Sequence, residues 1–192
     1  VWRSFPPRLA GFRKGQFARK WVVGAAAVMI DEDASPPELH LVEHTNRSRG
    51  AWGLPGGSLD SIPGDPIRPG SASSADDVLE SALRRELLEE LGIEITALNL
   101  LRVDAIPYVA EEPGPYRLDF YYRCFPQQGF AKLRESLISG RFKPRSPEVS
   151  RVCLVSLSDL KDYDLYSSDA RLLYEDLCRL EPELMQFFSN EP

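Results

Sequence analysis

The sequence has no apolar run approaching the roughly 20 residues that a bilayer-spanning helix needs. The longest such stretch, residues 22–30, is interrupted by Gly24. A membrane-spanning helix is thereby excluded, and no membrane partner is expected. Cysteine is scarce: Cys124, Cys153 and Cys178 stand far apart, with no CxxC pair and no neighbouring histidine. Such spacing does not make a thiolate-rich zinc site. Three buried or half-buried free thiols in a reducing compartment are expected, and with them a cytoplasmic location. Acid is missing from the first 20 residues, which carry Arg3, Arg8, Arg13, Lys14, Arg19 and Lys20. Arginine without acid suits an organelle transit peptide. One serine, two adjacent prolines and no clear amphipathic helix favour instead a basic arm lying on an acidic body. The start at Val1 is what a processed or trimmed N-terminus would leave.

What is present suits one packed domain. Of the 192 residues, 43% are hydrophobic and 10% aromatic, enough for a core and too much for wholesale disorder. The net charge is -6, so with six basic residues in the arm the remainder carries -12. That balance argues against a general nucleic-acid binder, which has a basic footprint.

Residues 21–30, rich in Val and Ala, predict a buried strand. Residues 38–45 alternate around Leu39, Leu41 and Val42 and predict a second strand, forming a hairpin with the first. A basic loop at 46–50 leads to a short strand at 51–54 that ends at Pro55-Gly56-Gly57. Residues 58–75 hold Pro63, Pro66, Pro69, Gly64, Gly70 and five serines and predict a loop. A helix follows over 76–92, capped by Asp76 or Asp77 and stopped by Gly92. Strands are predicted at 99–106, 116–125 and 149–155, with a mobile basic connection at 136–147. Leu172, Leu173, Leu177 and Leu180 mark a C-terminal helix over 169–188. The order of elements predicts the α/β (α+β) class: a basic arm at 1–20, then one domain at 21–192 with a mixed β-sheet between helices.

The sharpest feature is Arg85-Glu86-Leu87-Leu88-Glu89-Glu90-Leu91-Gly92-Ile93. On a helix at about 100° per residue, Glu86, Glu89 and Glu90 fall within an arc of about 100°. Leu83, Leu87, Leu88 and Leu91 occupy a separate arc. Like charges at this spacing cost about 0.2–0.5 kcal/mol per pair, and a bound cation reverses that sign. Hard divalent ions such as Mg²⁺ take carboxylate oxygens. Three glutamates alone would read as a solvated acidic face. The upstream turn Trp52-Gly53-Leu54-Pro55-Gly56-Gly57 changes that, because glycines let backbone approach a ligand closely.

Together these stretches resemble the Nudix box of Nudix hydrolases, G-x5-E-x7-R-E-U-x-E-E-x-G-U with U bulky and aliphatic. Arg85, Glu86, Leu87, Glu89, Glu90, Gly92 and Ile93 match every specified position of its second half, and Gly57 matches its first glycine. With its flanking strands the resemblance covers residues 21–160 and implies a Nudix-like α/β/α sandwich. Two departures stand out. Nineteen residues separate Gly57 from Asp77 where the family has five. The family's first glutamate is replaced by Asp77, or, in another alignment, by Asp65.

The resemblance implies hydrolysis of a diphosphate linkage in a nucleoside diphosphate joined to another group, assisted by Mg²⁺ or Mn²⁺. It implies Glu86, Glu89, Glu90 and the Gly57 carbonyl as metal ligands, with Glu86 and Glu89 also as catalytic groups. Arg85, with Asp77, would be a structural brace. Glu148, before a strand, is the candidate for the further carboxylate that many members supply, and Glu111 and Glu112 are alternatives. Arg47, Arg49 and Tyr108 are candidate substrate contacts, with Tyr116 as another base-stacking candidate. Trp52 is expected to pack. In the family a proline about 15 residues past the box goes with ADP-ribose, and a tyrosine slightly further on with dinucleoside polyphosphates. Pro107 lies 14 and Tyr108 15 residues past Ile93, which leans towards ADP-ribose. An RNA 5′ end tracked by the arm and by residues 141–145 is the alternative substrate, and a non-catalytic nucleotide sensor the alternative class. A homodimer is compatible with all of these.

Overall fold

The computed structural model describes residues 21–45, 51–58, 79–106, 116–165, 169, 172, 173 and 177. In chain order the elements are β1 (Trp21–Val28), β2 (Ile30–Asp31), β3 (Glu38–His44), β4 (Gly56–Ser58), α1 (Leu79–Glu86) and a π-helical turn (Leu87–Leu91). There follow β5 (Ile95–Ile106), β6 (Tyr116–Pro126), α2 (Phe130–Ile138), β7 (Val149–Ser156) and a 3-10 turn (Leu157–Asp162).

β1 is apolar on both sides because it is covered on both sides. Ala25, Ala27 and Met29 pack with Leu83, Leu87 and Leu91 of the box helix and with Leu133 of α2. Val28 and Ile30 pack with Tyr121, Leu157, Leu172, Leu173 and Leu177 in a second core. This is the expected α/β/α sandwich. Its four-stranded sheet runs β4-β1-β6-β5 and is mixed, with β1 parallel to β6 and antiparallel to β4. β2, β3 and β7 form a separate antiparallel sheet. Of the C-terminal stretch, Asp169, Leu172, Leu173 and Leu177 have helical backbone, and the rest of the helix expected at 169–188 lies outside the described residues. No described helix is long and apolar enough to cross a membrane.

Three expectations are corrected. The first two strands do not make a simple hairpin: only Ile30 and Asp31 pair back onto Leu39 and Glu38. The body of β1 joins the other sheet, since a strand apolar on both faces gains most from neighbours along both edges. Residues 51–54 are no strand; Trp52 and Gly53 make only isolated bridges, and the strand begins at Gly56. There β4 closes tightly on β1, and a Cβ at Gly56, whose φ is 150°, would lie 2.8 Å from the Ala26 Cα. The connection at 136–147 starts inside an unforeseen helix. Phe130, Leu133 and Leu137 of α2 pack on the first core, and the Phe142 N–H donates to the Ser136 carbonyl at 2.9 Å to hold the segment that follows.

α2 buries His40 of β3. The imidazole is 1% exposed, tilts against the Phe130 ring at 5.8 Å, and has no hydrogen-bond partner at either nitrogen among the described residues. Burial, with the Arg134 guanidinium nearby, lowers its pKa to about 4. Arg134 itself pairs with Asp31 at 3.3 Å. The unfolded chain therefore binds a proton at His40 that the folded chain refuses between pH 6.5 and about 4. The His40 contribution is complete above pH 6.5 and is lost on acidification, by at most about 1.4 kcal/mol per pH unit. Urea melts across this window should show a slope that flattens in His40→Leu. An unchanged slope would contradict a neutral buried His40.

Candidate active site

The box helix is α1 continued by a π turn. Ala82 and Leu83 are buried on its inner face, and the Arg84 guanidinium donates to the Ile95 carbonyl, tying the helix to β5. Gly92 ends the helix at φ 71°, ψ 24°, its N–H donating to the carbonyls of Leu87 and Leu88. The left-handed conformation explains a glycine here. So does its neighbour: a Cβ at Gly92 would lie 2.7 Å from Arg145 Cζ.

The three glutamates of the helix differ in burial. Glu90 turns inward and is 5% exposed. The Glu86 side chain is 15% exposed and the Glu89 side chain 60%. Arg85 spans two of them, with Nη2 3.0 Å from Glu86 Oε1 and Nη1 3.1 Å from Glu89 Oε2. Among the described residues, no three His, Cys, Asp or Glu side chains are grouped closely enough to hold a metal ion. The Arg85 guanidinium compensates the charge of Glu86 and Glu89.

The glycine turn meets this helix. β4 sets Gly57 opposite Ala25, and a Cβ at Gly57 would fall 2.6 Å from Glu86 Oε1 and 2.8 Å from its Cγ. Any larger residue here would push the Glu86 carboxylate aside. The turn is held by the Ala27 N–H on the Pro55 carbonyl at 2.8 Å and by reciprocal Val42–Gly53 bonds of 2.9 Å. The Leu54 N–H donates to Asp169 Oδ2 at 2.9 Å. Sequence reading missed Asp169, a buried acid 115 residues away with no local signature. The donor set, carboxylates beside a backbone strand, is all oxygen and fits a hard divalent ion.

Glu148 sits in an exposed segment that is nonetheless pinned. The Arg145 and Ser146 N–H groups both donate to the Glu90 carbonyl, at 2.7 and 3.3 Å, and the Thr45 N–H donates to the Glu148 carbonyl at 2.8 Å. Trp52 packs edge-on to Tyr163 at 6.1 Å, with the Arg151 guanidinium 4.9 Å over its ring. Arg151 also bonds Glu43 at 2.7 Å. Cys124 and Cys153 are free thiols whose pKa burial raises to about 12, so they stay protonated and unreactive. Asp77, Asp65, Arg47, Arg49, Tyr108, Glu111, Glu112 and Cys178 lie outside the described residues, as does the Tyr116 side chain.

The chain matches the NUDIX domain family model over residues 20–176. Solved structures of similar fold include a MutT NUDIX hydrolase from Burkholderia pseudomallei, 21% identical with a TM-score of 0.58, covering 82% of this chain and 98% of that one. The NUDIX domain of Shewanella oneidensis NrtR, solved with ADP ribose, is 17% identical with a TM-score of 0.58, over 93% and 95% of the two chains. The E. coli ORF135 protein is 18% identical with a TM-score of 0.55, over 91% and 98%. At such identities the likeness is one of fold. No curated protein matches the chain.

Proposed function

The chain belongs to the Nudix hydrolase family, and on that premise we propose that it is a divalent-metal-dependent pyrophosphohydrolase. Its substrate would be a nucleoside diphosphate linked to another moiety, ADP-ribose or a related nucleotide. The observation that carries this reading is the contact between the bare backbone of Gly57 and the Glu86 carboxylate, at the start of an intact Glu86, Glu89, Glu90 series. These glutamates and the Gly57 carbonyl would hold Mg²⁺ or Mn²⁺. When bound, such an ion neutralises phosphate charge and lowers the pKa of water.

The chain's own groups do the rest. Arg85 holds Glu86 and Glu89 in a fixed relation through its two ion pairs. Glu86 and Glu148 are the proposed acceptors of the attacking water's proton, with Glu89 as a further catalytic group. Arg47, Arg49 and Tyr108 are proposed substrate contacts. The position of Pro107 supports ADP-ribose, as does the ADP ribose held by the Shewanella NrtR domain. A second reading, an RNA 5′ end, is favoured by one observation: Arg141, Lys143 and Arg145 are exposed in a stretch, 139–147, that has no acid.

Turnover on a panel tests both. ADP-ribose, NADH, dinucleoside polyphosphates, nucleoside triphosphates and 5′-triphosphate RNA are each offered with Mg²⁺ and with Mn²⁺. ADP-ribose is expected to be cleaved, EDTA to abolish cleavage and excess metal to restore it. Preference for the RNA would move the assignment to the second reading. Binding without turnover of any compound would leave a nucleotide sensor.

A further inference from the structure

We propose that residues 145–149 form a strap that sets Glu148 against the C-terminal end of the box helix, with Arg145 as its positioning residue. The proposal rests on the reading of Glu148 as a catalytic group. The last carbonyls of a helix lack partners within it, and here the Glu90 carbonyl is capped from outside by two successive N–H groups of the strap. The same residue thus carries a proposed metal ligand on its side chain and the strap on its main chain.

The Arg145 side chain adds a second point of attachment. Its guanidinium lies over Gly92, with Nη2 3.0 Å and Cζ 2.7 Å from where a Cβ would stand. A cation there also suits the negative end of the helix. Three residues on, the strap is fixed again. Thr45 Oγ1 donates to the carbonyls of Pro147 at 3.0 Å and Glu148 at 3.3 Å, and Ser146 Oγ accepts from the Glu148 N–H at 3.1 Å. The Glu148 backbone is therefore held between the box helix on one side and the end of β3 on the other. An exposed acid on an unattached loop would have neither anchor.

A double-mutant cycle tests this, read as kcat at saturating Mg²⁺ with its pH profile, and as backbone amide hydrogen exchange of residues 145–149 without metal or substrate. Glu148→Gln is expected to lower kcat about 100-fold and to flatten the acidic limb of its pH profile, and Arg145→Ala to lower kcat about 10-fold and to speed exchange at 145–149. The double variant should be no worse than Glu148→Gln alone, because Arg145 acts through Glu148. Arg145→Lys should recover part of the loss. Effects that multiply in the double variant, or wild-type kcat and exchange in Arg145→Ala, would overturn the proposal and leave the catalytic reading of Glu148 standing. Wild-type behaviour of Glu148→Gln itself would remove both. Should Arg145→Ala fail to fold, Thr45→Val, which deletes only the hydroxyl bonds, serves in the same cycle with the same outcomes.

Discussion

Glu90→Gln is expected to lower kcat about 1000-fold, equivalent to ~4 kcal/mol of transition-state stabilisation, while the protein stays folded. Glutamine keeps the shape of the side chain, and the strap bonds the main-chain carbonyl, which the substitution leaves in place. What disappears is the charge of the most deeply buried of the three glutamates. Loss of a group that only supports a metal ligand already costs about 10–100-fold, so loss of a ligand should exceed that. Because the substitution keeps the side-chain volume and the main-chain bonds, a circular-dichroism melt should place the variant within a few degrees of the parent. Wild-type turnover at saturating Mg²⁺ would sink the assignment of Glu90 to the metal.

Gly57→Ala should cost about 100-fold in kcat/KM, the order expected when a reacting group is misplaced by roughly 1 Å. The new methyl would sit 2.6 Å from a Glu86 oxygen, a separation that neither group tolerates. Glu86 must then move, or β4 must pull away from β1. Moving Glu86 also breaks its 3.0 Å pair with Arg85. Metal titration tells the two routes apart. A raised metal requirement with an unchanged melt points to Glu86, whereas a lowered melting temperature points to the strand. Full activity with an unchanged metal requirement would mean that this contact has no part in the chemistry.

The layers of the fold were legible because burial leaves a periodic trace. The Val- and Ala-rich run of β1 and the leucines of the box helix marked the elements that meet in the first core. Partner choice left no such trace. Nothing in residues 21–30 distinguishes a hairpin with β3 from the parallel pairing with β6 that the chain adopts. α2 was missed because Lys132, Arg134, Glu135 and Ser136 outnumber its inward residues, so its apolar face is narrow. At the site, the glutamates and Gly57 were legible as a motif, since their spacing along the chain reflects a local turn and helix. The π turn at Leu87–Leu91 was not, because a single widened turn has no residue signature. Asp169, Thr45 and Arg145 were hidden for another reason: the side chain of each meets residues far away in sequence, and spacing along the chain does not show such contacts.

The parallel pairing of β1 with β6 also sets an order of events during synthesis. Ala25 of β1 stands opposite Phe120, so the edge of β1 away from the glycine turn stays open until β6 has left the ribosome. Contacts between residues so distant form slowly, because a long loop must close before any of them stabilises the product. Gly57 and Glu86 precede β6 in the chain, yet the sheet beneath them is complete only once β6 has joined it. A chain stopped before β6 would carry the whole motif and still have no assembled centre, which makes truncation at that point a sensitive probe of when the enzyme becomes competent.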